Sequence, residues 1–337
     1  MTQSRVTTRA TLLARLAAIT TLSFSCAYAG TVAADPLKVA IVLAGNITDR
    51  SFNQSGYEGV IQARDALKIE VAYSEKVPQP DQAQALADYA RRGYDVVIGY
   101  GGEFQDSVDR VAKRNSKTQF LVVNGTKSGG NVSTLAFDMK DMGYVIGYIG
   151  GKTSVSGVGG FVGAQKIKAY SDLNDGFVEG FKAARPQGQV LSAWTNDWDD
   201  LAKGKEAALN LIGQKADVVF PTMDNAVLGS LQAVRQENKQ GFGIYYDALS
   251  DWPDNLLQSA VLDMRGALLT VLTQAQSSSL GGKSYVYGFE TPKAFRLGSY
   301  GKAVSEQTKT DAAALIETIK QRNASQPAVA AAAAVKP

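Results

Sequence analysis

No histidine occurs anywhere in the 337 residues. That removes the general base of a Ser-His-Asp or Cys-His relay and every zinc site built on imidazole. Cysteine is almost as scarce: Cys26 stands alone, inside a segment that reads as a leader. A chain trimmed there has no thiol nucleophile, no disulfide and no thiolate metal ligand, while carboxylate-only chemistry remains open. Charge of one sign is lacking too. The formal net charge is +3, and Arg5, Arg9 and Arg15 belong to the same leader. The rest of the chain is close to neutral, with scattered lysines and arginines, which gives no electrostatic case for nucleic acid or an anionic membrane. Long apolar runs are missing as well: no later stretch matches the ~20 residues that a membrane helix needs.

The N-terminus has the three parts of a secretory signal: the arginines, an apolar stretch from Leu16 to Phe24, and Ala27-Tyr28-Ala29 before Gly30 as an A-x-A cleavage site. The expectation is a signal peptide over 1–29, cut near Ala29, and a soluble periplasmic protein. An uncleaved anchor is the alternative, disfavoured by the shortness of the stretch. A lipid on Cys26 is another, but Ser23-Phe24-Ser25 lacks the Leu such a signal carries three residues ahead.

Beyond Asp35 the composition is that of an ordinary globular protein, 45% hydrophobic and 20% charged, and the length suits two lobes. Short apolar runs alternate with amphipathic stretches. Strands are expected at 38–43, 69–73, 95–98 and 119–123, with helices at 54–67, 80–92 (opening on Pro80) and 107–115 between or after them. The beat resumes with strands at 157–162, 189–194, 217–220 and 243–246 and helices at 171–184, 200–213 and 225–236. Then 256–273 reads as a helix, 285–289 and 294–297 as short strands, 310–322 as a last helix, and 326–337 as an Ala-rich tail. Two βαβα series mean α/β lobes, each with a parallel sheet covered by helices on both faces.

Ligands of parallel α/β sheets bind beyond the carboxyl ends of the strands. The loops there carry aromatics (Phe52, Tyr100, Trp198) and polar groups (Asp49, Asn53, Asn124, Asp224, Asp247). Aromatics give flat apolar walls, and Asn and Asp fix hydrogen-bond direction, a mix that suits a planar, neutral ligand such as a nucleobase or nucleoside. Phosphate would need Arg, Lys or a nest of backbone donors. Each residue also has a plainer job open to it. Asp49 or Ser51 can cap the first helix, Phe52 can staple it, Asp224 can cap the helix at 225, and Asp247 can sit in a turn. Gly99-Tyr100-Gly101-Gly102 lacks Walker spacing, and the glycines of 157–163 lie inside a strand and not after it, so neither reads as a phosphate cradle.

Asp49-Arg50-Ser51-Phe52-Asn53-Gln54-Ser55-Gly56-Tyr57-Glu58-Gly59 resembles the D-x-S-F-N-x-x-x-x-x-G lead-in of the basic membrane protein family of ABC-importer substrate-binding proteins, which includes bacterial purine-nucleoside receptors. Gly157–Gly163 with Gly176-Phe177-Val178-Glu179-Gly180 resembles that family's glycine-rich strand and GF-x-x-G helix, and Trp198-Asp199-Asp200 its aromatic and Asp before a helix. The resemblance spans about 37–322. It implies a type I periplasmic-binding fold: two Rossmann-like lobes joined by three hinge crossovers, divided here as 36–137 with 247–280 and 138–246 with 281–325. It also implies a purine between Phe52 and Trp198, Asn53 on the base, and Asp247 accepting from the ligand. Two positions depart from the nucleoside receptors. Asn124 stands where they carry Asp, and Leu262 of Ser259-Ala260-Val261-Leu262 where they carry Lys. Both family residues help to hold ribose, so a free base is as fitting as a nucleoside. The expected protein is a monomeric binder that closes on its ligand and hands it to a membrane permease, with no cofactor and no nucleic-acid partner. The rivals are a sugar or other polar-solute binder, a receptor-attached sensing module, and a carboxylate-based nucleoside hydrolase using Asp49, Asp224 and Asp247.

Overall fold

The computed structural model describes residues 35–49 and 52–325. The expected signal peptide and the Ala-rich tail lie outside them. In chain order the elements are β1 (Lys38–Leu43), α1 (Phe52–Leu67), β2 (Glu70–Ser74), α2 (Gln82–Arg91), β3 (Val96–Tyr100), α3 (Gln105–Ala112), β4 (Gln119–Val123) and β5 (Val132–Phe137). There follow α4 (Met139–Thr153), β6 (Val158–Gly163), α5 (Lys168–Ala184), β7 (Gln189–Trp194), α6 (Leu201–Gly213), β8 (Val218–Thr222), α7 (Ala226–Gln236), β9 (Gln240–Ile244) and β10 (Leu256–Leu262). The chain ends with α8 (Met264–Ser277), β11 (Ser284–Tyr287), β12 (Phe295–Leu297) and α9 (Glu306–Ser325).

The strands make two six-stranded sheets, ordered β11-β5-β4-β3-β1-β2 and β12-β10-β9-β8-β6-β7. Every pairing is parallel except β10 with β12. The α/β, two-lobed architecture is thus the expected one. Strands β1, β3, β4, β6 and β8 are buried almost throughout, as strands covered on both faces must be. In both sheets the order reverses next to the first strand of the lobe, between β1 and β3 and between β6 and β8, which places the two ligand crevices at those strand ends.

Three crossovers join the lobes: β5 to α4 through Asp138, β10 to α8 through Asp263, and β11 to β12 through 288–294. They are bonded side by side. The Asp138 amide donates to the Tyr287 carbonyl at 2.9 Å and that of Asp263 to Ala294 at 2.7 Å. Both aspartates also cap the helix that follows, Asp138 accepting from the Asp141 amide and Asp263 from those of Arg265 and Gly266.

The expected lobe boundaries need correction. Residues 256–273 are not one helix: β10 occupies Leu256–Leu262 inside the second sheet, and α8 starts only at Met264. All seven residues of β10 are buried, Gln258 and Ser259 among them, so the segment has no inside–outside alternation, and a fully buried run of that kind cannot be told from a buried helix by period. Conversely, β11 at 284–287 pairs with β5 in the first sheet. The sheets therefore put 256–262 with the second lobe and 264–287 with the first. Between 124 and 156, where the rhythm assigns no element, the chain forms β5 and α4. Pro80 opens a short 3₁₀ turn, Gln79–Asp81, ahead of α2.

The GF-x-x-G motif has a packing reason. Helices α4 and α5 cross with their backbones in contact. A Cβ on Gly180 would lie 1.9 Å from the Tyr144 carbonyl oxygen, and one on Gly147 2.2 Å from that of Phe177.

Candidate functional site

At the first crevice, Leu43 of β1 pairs with Tyr100 of β3. Tyr100 is fully buried, and Phe52, the first residue of α1, lies over it with ring centroids 4.3 Å apart and planes at 28°. Gly56 lets the ring in: a Cβ there would sit 2.4 Å from its Cζ. The phenol meets the Ser55 Oγ at 3.2 Å. Burial lifts it far above the ordinary tyrosine range against the pull of that bond, and the carboxylates of Asp49 and Asp224, one from each lobe, push the same way.

The loop between β1 and α1 is tied by its own side chains. Asp49 caps α1, its two carboxylate oxygens accepting from the amides of Asn53 and Gln54, each at 3.0 Å. The Asn53 side chain is a clasp: its Oδ1 accepts from the Gly45 amide at 3.0 Å and its Nδ2 donates to Asp49 at 2.8 Å. The plainer reading of Asp49 holds, and Asn53 spends its carbonyl inside the loop. Asn124, just past β4, sits in the left-handed region with φ 56°. Its side-chain amide makes no hydrogen bond among the described residues.

At the second crevice the loop after β7 is built to hold Trp198. Asp197 accepts from the amides of Asp199 and Asp200, each at 3.1 Å, and from Lys203 Nζ at 2.8 Å. These three bonds hold its carboxyl down at about 2. Asp200 caps α6. The Trp198 carbonyl accepts from the amides of Asp224 and Ala226 at 3.0 and 3.1 Å, which locks the loop to the start of α7. The half-buried indole meets the edge of Tyr170, from the first turn of α5, at 4.9 Å between centroids. The Tyr170 hydroxyl lies 2.6 Å from that of Tyr245. Burial raises both phenols, and the Asp224 carboxylate pushes each of them the same way.

The structure thus brings together Asp49, Phe52, Tyr100, Trp198 and Asp224. Asn225 bridges the crevices, its Nδ2 donating to the Asp49 carbonyl at 3.4 Å and to Asp199 Oδ1 at 2.9 Å. Asp247 is tied to the segment after β12. Its Oδ2 accepts from the amide and hydroxyl of Ser299, at 2.8 and 2.6 Å, and these bonds offset its burial and hold its pKa low. β9 stops at Ile244, two residues before the expected end, so Tyr245 and not Asp247 occupies the strand's carboxyl end. Tyr245 has φ 72°. For a bulky residue that conformation costs about 1–3 kcal/mol and persists only where surrounding contacts enforce it. Nothing in the sequence singles out Tyr170 or Asn225, and for Tyr245 the only signal is the Tyr245-Tyr246 pair beside a strand end.

Among the described residues no cluster of three or more Asp, Glu, Cys or His is placed to hold a metal ion, and no helix is long and apolar enough to cross a membrane.

The profile of the Bmp family, described as ABC transporter substrate-binding protein PnrA-like, matches residues 37–327. The CD4+ T-cell-stimulating antigen of Listeria monocytogenes is 31% identical over 52% of this chain and 51% of its own length; the chain spans about half the length of that relative. The ABC transporter nucleoside-binding protein BmpA of Lactococcus lactis is 30% identical over 55% of this chain and 54% of its own. Basic membrane protein A of Borreliella burgdorferi is 25% identical over 79% and 80%. Among solved structures, an ABC transporter solute-binding protein of Aeropyrum pernix superposes with a TM-score of 0.73 at 17% identity, over 86% of this chain and 91% of that one. A periplasmic ribose ABC transporter protein of Conexibacter woesei gives 0.62 at 12%, over 75% and 91%. The fold is that of the type I periplasmic binding proteins, and the chain belongs to the Bmp family of ABC-transporter substrate-binding proteins, a family of solute binders and not of enzymes.

Proposed function

We propose that the protein is the periplasmic, monomeric substrate-binding component of an ABC importer, that it captures a purine base or purine nucleoside between its lobes, and that it delivers the ligand to the permease by hinge closure. The observation that carries this reading is the pair of aromatic walls. One face of Phe52 rests on Tyr100, which leaves the other face for a ligand, and Trp198 is fixed on the opposite lobe by Tyr170 and the start of α7. A planar heterocycle fits between such walls, and Asp224 and Asn124 supply directional polar contacts at the strand ends. The name of the Lactococcus lactis relative, a nucleoside-binding protein, points the same way.

Within the purines a free base is favoured over a nucleoside. Asn124 and Leu262 replace the residues that resemblance to the nucleoside receptors assigns to ribose, and Leu262 is almost fully buried. Asp247, the third polar candidate, is committed to Ser299. Stacking on two aromatics with a few hydrogen bonds in a dry cleft reaches micromolar affinity, about −8 kcal/mol.

Calorimetric titration of the refolded, ligand-stripped mature protein with adenine, hypoxanthine, guanosine and adenosine tests this. Tight binding of a base is the expected result. Tighter binding of the nucleosides reverses the order within the class, and no binding to any of the four removes purines as the ligand.

A further inference from the structure

Tyr100, the last residue of β3, exposes none of its surface, so it meets no ligand in this arrangement of the chain. Its ring is enclosed by the first turns of α1. Phe52 lies over it, with centroids 4.3 Å apart and planes at 28°. Gly56, one turn further on, stands at its tip: a Cβ there would fall 2.4 Å from Cζ and 2.6 Å from each Cε. The helix has little room to retreat. At Gly59 a Cβ would lie 2.8 Å from the Leu268 side chain and 3.2 Å from the Arg265 Cα, so α1 is seated closely on α8.

The hydrogen bonds of the same turn close on one another. Ser55 Oγ donates its only proton to the Phe52 carbonyl at 2.6 Å. Towards Tyr100, 3.2 Å away, it can then only accept, so the phenolic proton is spent on α1. Ring and hydroxyl of Tyr100 thus both bear on the turn that carries Phe52. We infer that Tyr100 is a positioning residue, a buried buttress that holds the Phe52 ring forward and so sets the width of the slot in which a planar ligand stacks. In this role it acts through Phe52, and not as the direct ligand contact that the sequence suggests. The inference rests on the reading of the cleft as a purine site and deepens it. The lever is the steepness of dispersion: a gap of about 0.5–1 Å forfeits about a quarter to a half of a contact. Phe52 settling back onto a smaller side chain would open such a gap against a ligand whose other face lies on Trp198.

The test is calorimetric titration of the mature protein with whichever of adenine, hypoxanthine, guanosine and adenosine the native chain binds most tightly. The variants are Tyr100→Phe, Tyr100→Leu and Gly56→Ala, each made also on a Phe52→Leu background, where Tyr100 stays covered but the flat wall is gone. Thermal melts followed by circular dichroism first establish which of them are folded. Tyr100→Phe keeps the ring and should bind within about twofold of native, the ordinary error of such comparisons. Tyr100→Leu should weaken binding about fivefold or more, the partial loss of one stacking wall. Gly56→Ala disturbs the buttress from the other side by pushing on the tip of the ring. It should weaken binding to a similar extent although alanine favours a helix over glycine, and it decides the matter if Tyr100→Leu does not fold. On the Phe52→Leu background both losses should shrink to within about twofold, since Tyr100 has no ring left to hold. A loss in Tyr100→Phe as large as that in Tyr100→Leu would mean that the ligand uses the hydroxyl. Losses undiminished on the Phe52→Leu background, or native affinity in folded Tyr100→Leu or Gly56→Ala, would mean that Tyr100 does not act through Phe52. Each of these overturns the inference and leaves the purine reading intact. Absence of binding by the native protein to all four compounds overturns both.

Discussion

The Asn225 side-chain amide donates to the backbone carbonyl of Asp49 at 3.4 Å, across the cleft from the N-terminus of α7 to the loop before α1. The same nitrogen holds Asp199 at 2.9 Å, so one side chain ties the Trp198 loop to the opposite lobe. A bond of this kind exists only when the lobes are together, and a ligand shifts a hinge only through contacts that differ between the two states. Asn225→Ala should weaken ligand binding about threefold to tenfold, in line with the ~0.5–1.5 kcal/mol of a net hydrogen bond. The loss should appear as faster dissociation in stopped-flow fluorescence. An unchanged off-rate would show that Asn225 takes no part in closure.

Trp198 and Asp247 should part company under substitution. Trp198→Ala removes a stacking wall and should cost about 1–3 kcal/mol of ligand affinity, by analogy with base–aromatic stacking, with little change in melting temperature since the indole is only half-buried. Asp247→Ala should do the reverse. Ser299 loses the acceptor for both its amide and its hydroxyl, which should cost about 1–3 kcal/mol of stability and leave affinity within twofold. Calorimetry and urea melts on the two variants separate the roles. A large affinity loss in Asp247→Ala would return that residue to the ligand site.

Much of this arrangement can be read from the sequence, for physical reasons that also mark where the reading ends. Period and turn residues locate elements, so the loops holding Phe52, Tyr100, Trp198 and Asp224 fall at strand ends. The rule that ligands sit there does the rest. Period carries no information in a strand buried on both faces, which is why Leu256–Leu262 reads as helix and the lobe boundary moves with it. Nor does sequence show where a strand stops when the next residues are also aromatic. β9 ends at Ile244, so Tyr245, at φ 72°, takes the place assigned to Asp247. Asn53 looks like a ligand contact because its motif is distinctive. In the fold its distinctiveness serves the clasp on Gly45 and Asp49.

The glycines of α4 and α5 make a sharper stability prediction than any polar contact. Gly180 has no room for a methyl group, with backbone of α4 at 1.9 Å from where it would go. Gly180→Ala must push the two helices apart along their length, and overpacking of that kind costs about 1–3 kcal/mol or more. Gly213, the last residue of α6, has open space around it, and Gly213→Ala should be neutral or stabilising by up to about 1 kcal/mol. Thermal denaturation of the pair checks the packing directly. Equal melting temperatures would mean that α4 and α5 do not meet backbone to backbone.

Asp138 gives the hinge a pH signature. It sits in the first crossover and caps α4, and burial, with the Asp141 charge adding to it, pushes its carboxyl up to about 6, against the partial relief of Arg322. The pKa of the folded state thus lies above the ordinary 3.8, so the folded chain holds this proton more tightly than the unfolded chain does. The contribution to stability is full below about pH 4, is lost as the pH rises towards about 6, and stays lost at neutral pH. The rise from 3.8 to about 6 bounds the loss at about 3 kcal/mol. Asp138→Asn keeps an oxygen for the Asp141 amide and carries no charge. The variant should therefore be more stable than the native protein by about 1–3 kcal/mol at about pH 7.5, with the difference fading by about pH 4, in urea melts at the two values. A variant that is equally displaced at both, or less stable at the higher pH, would show that the Asp138 carboxylate is accommodated as an ion in the folded hinge.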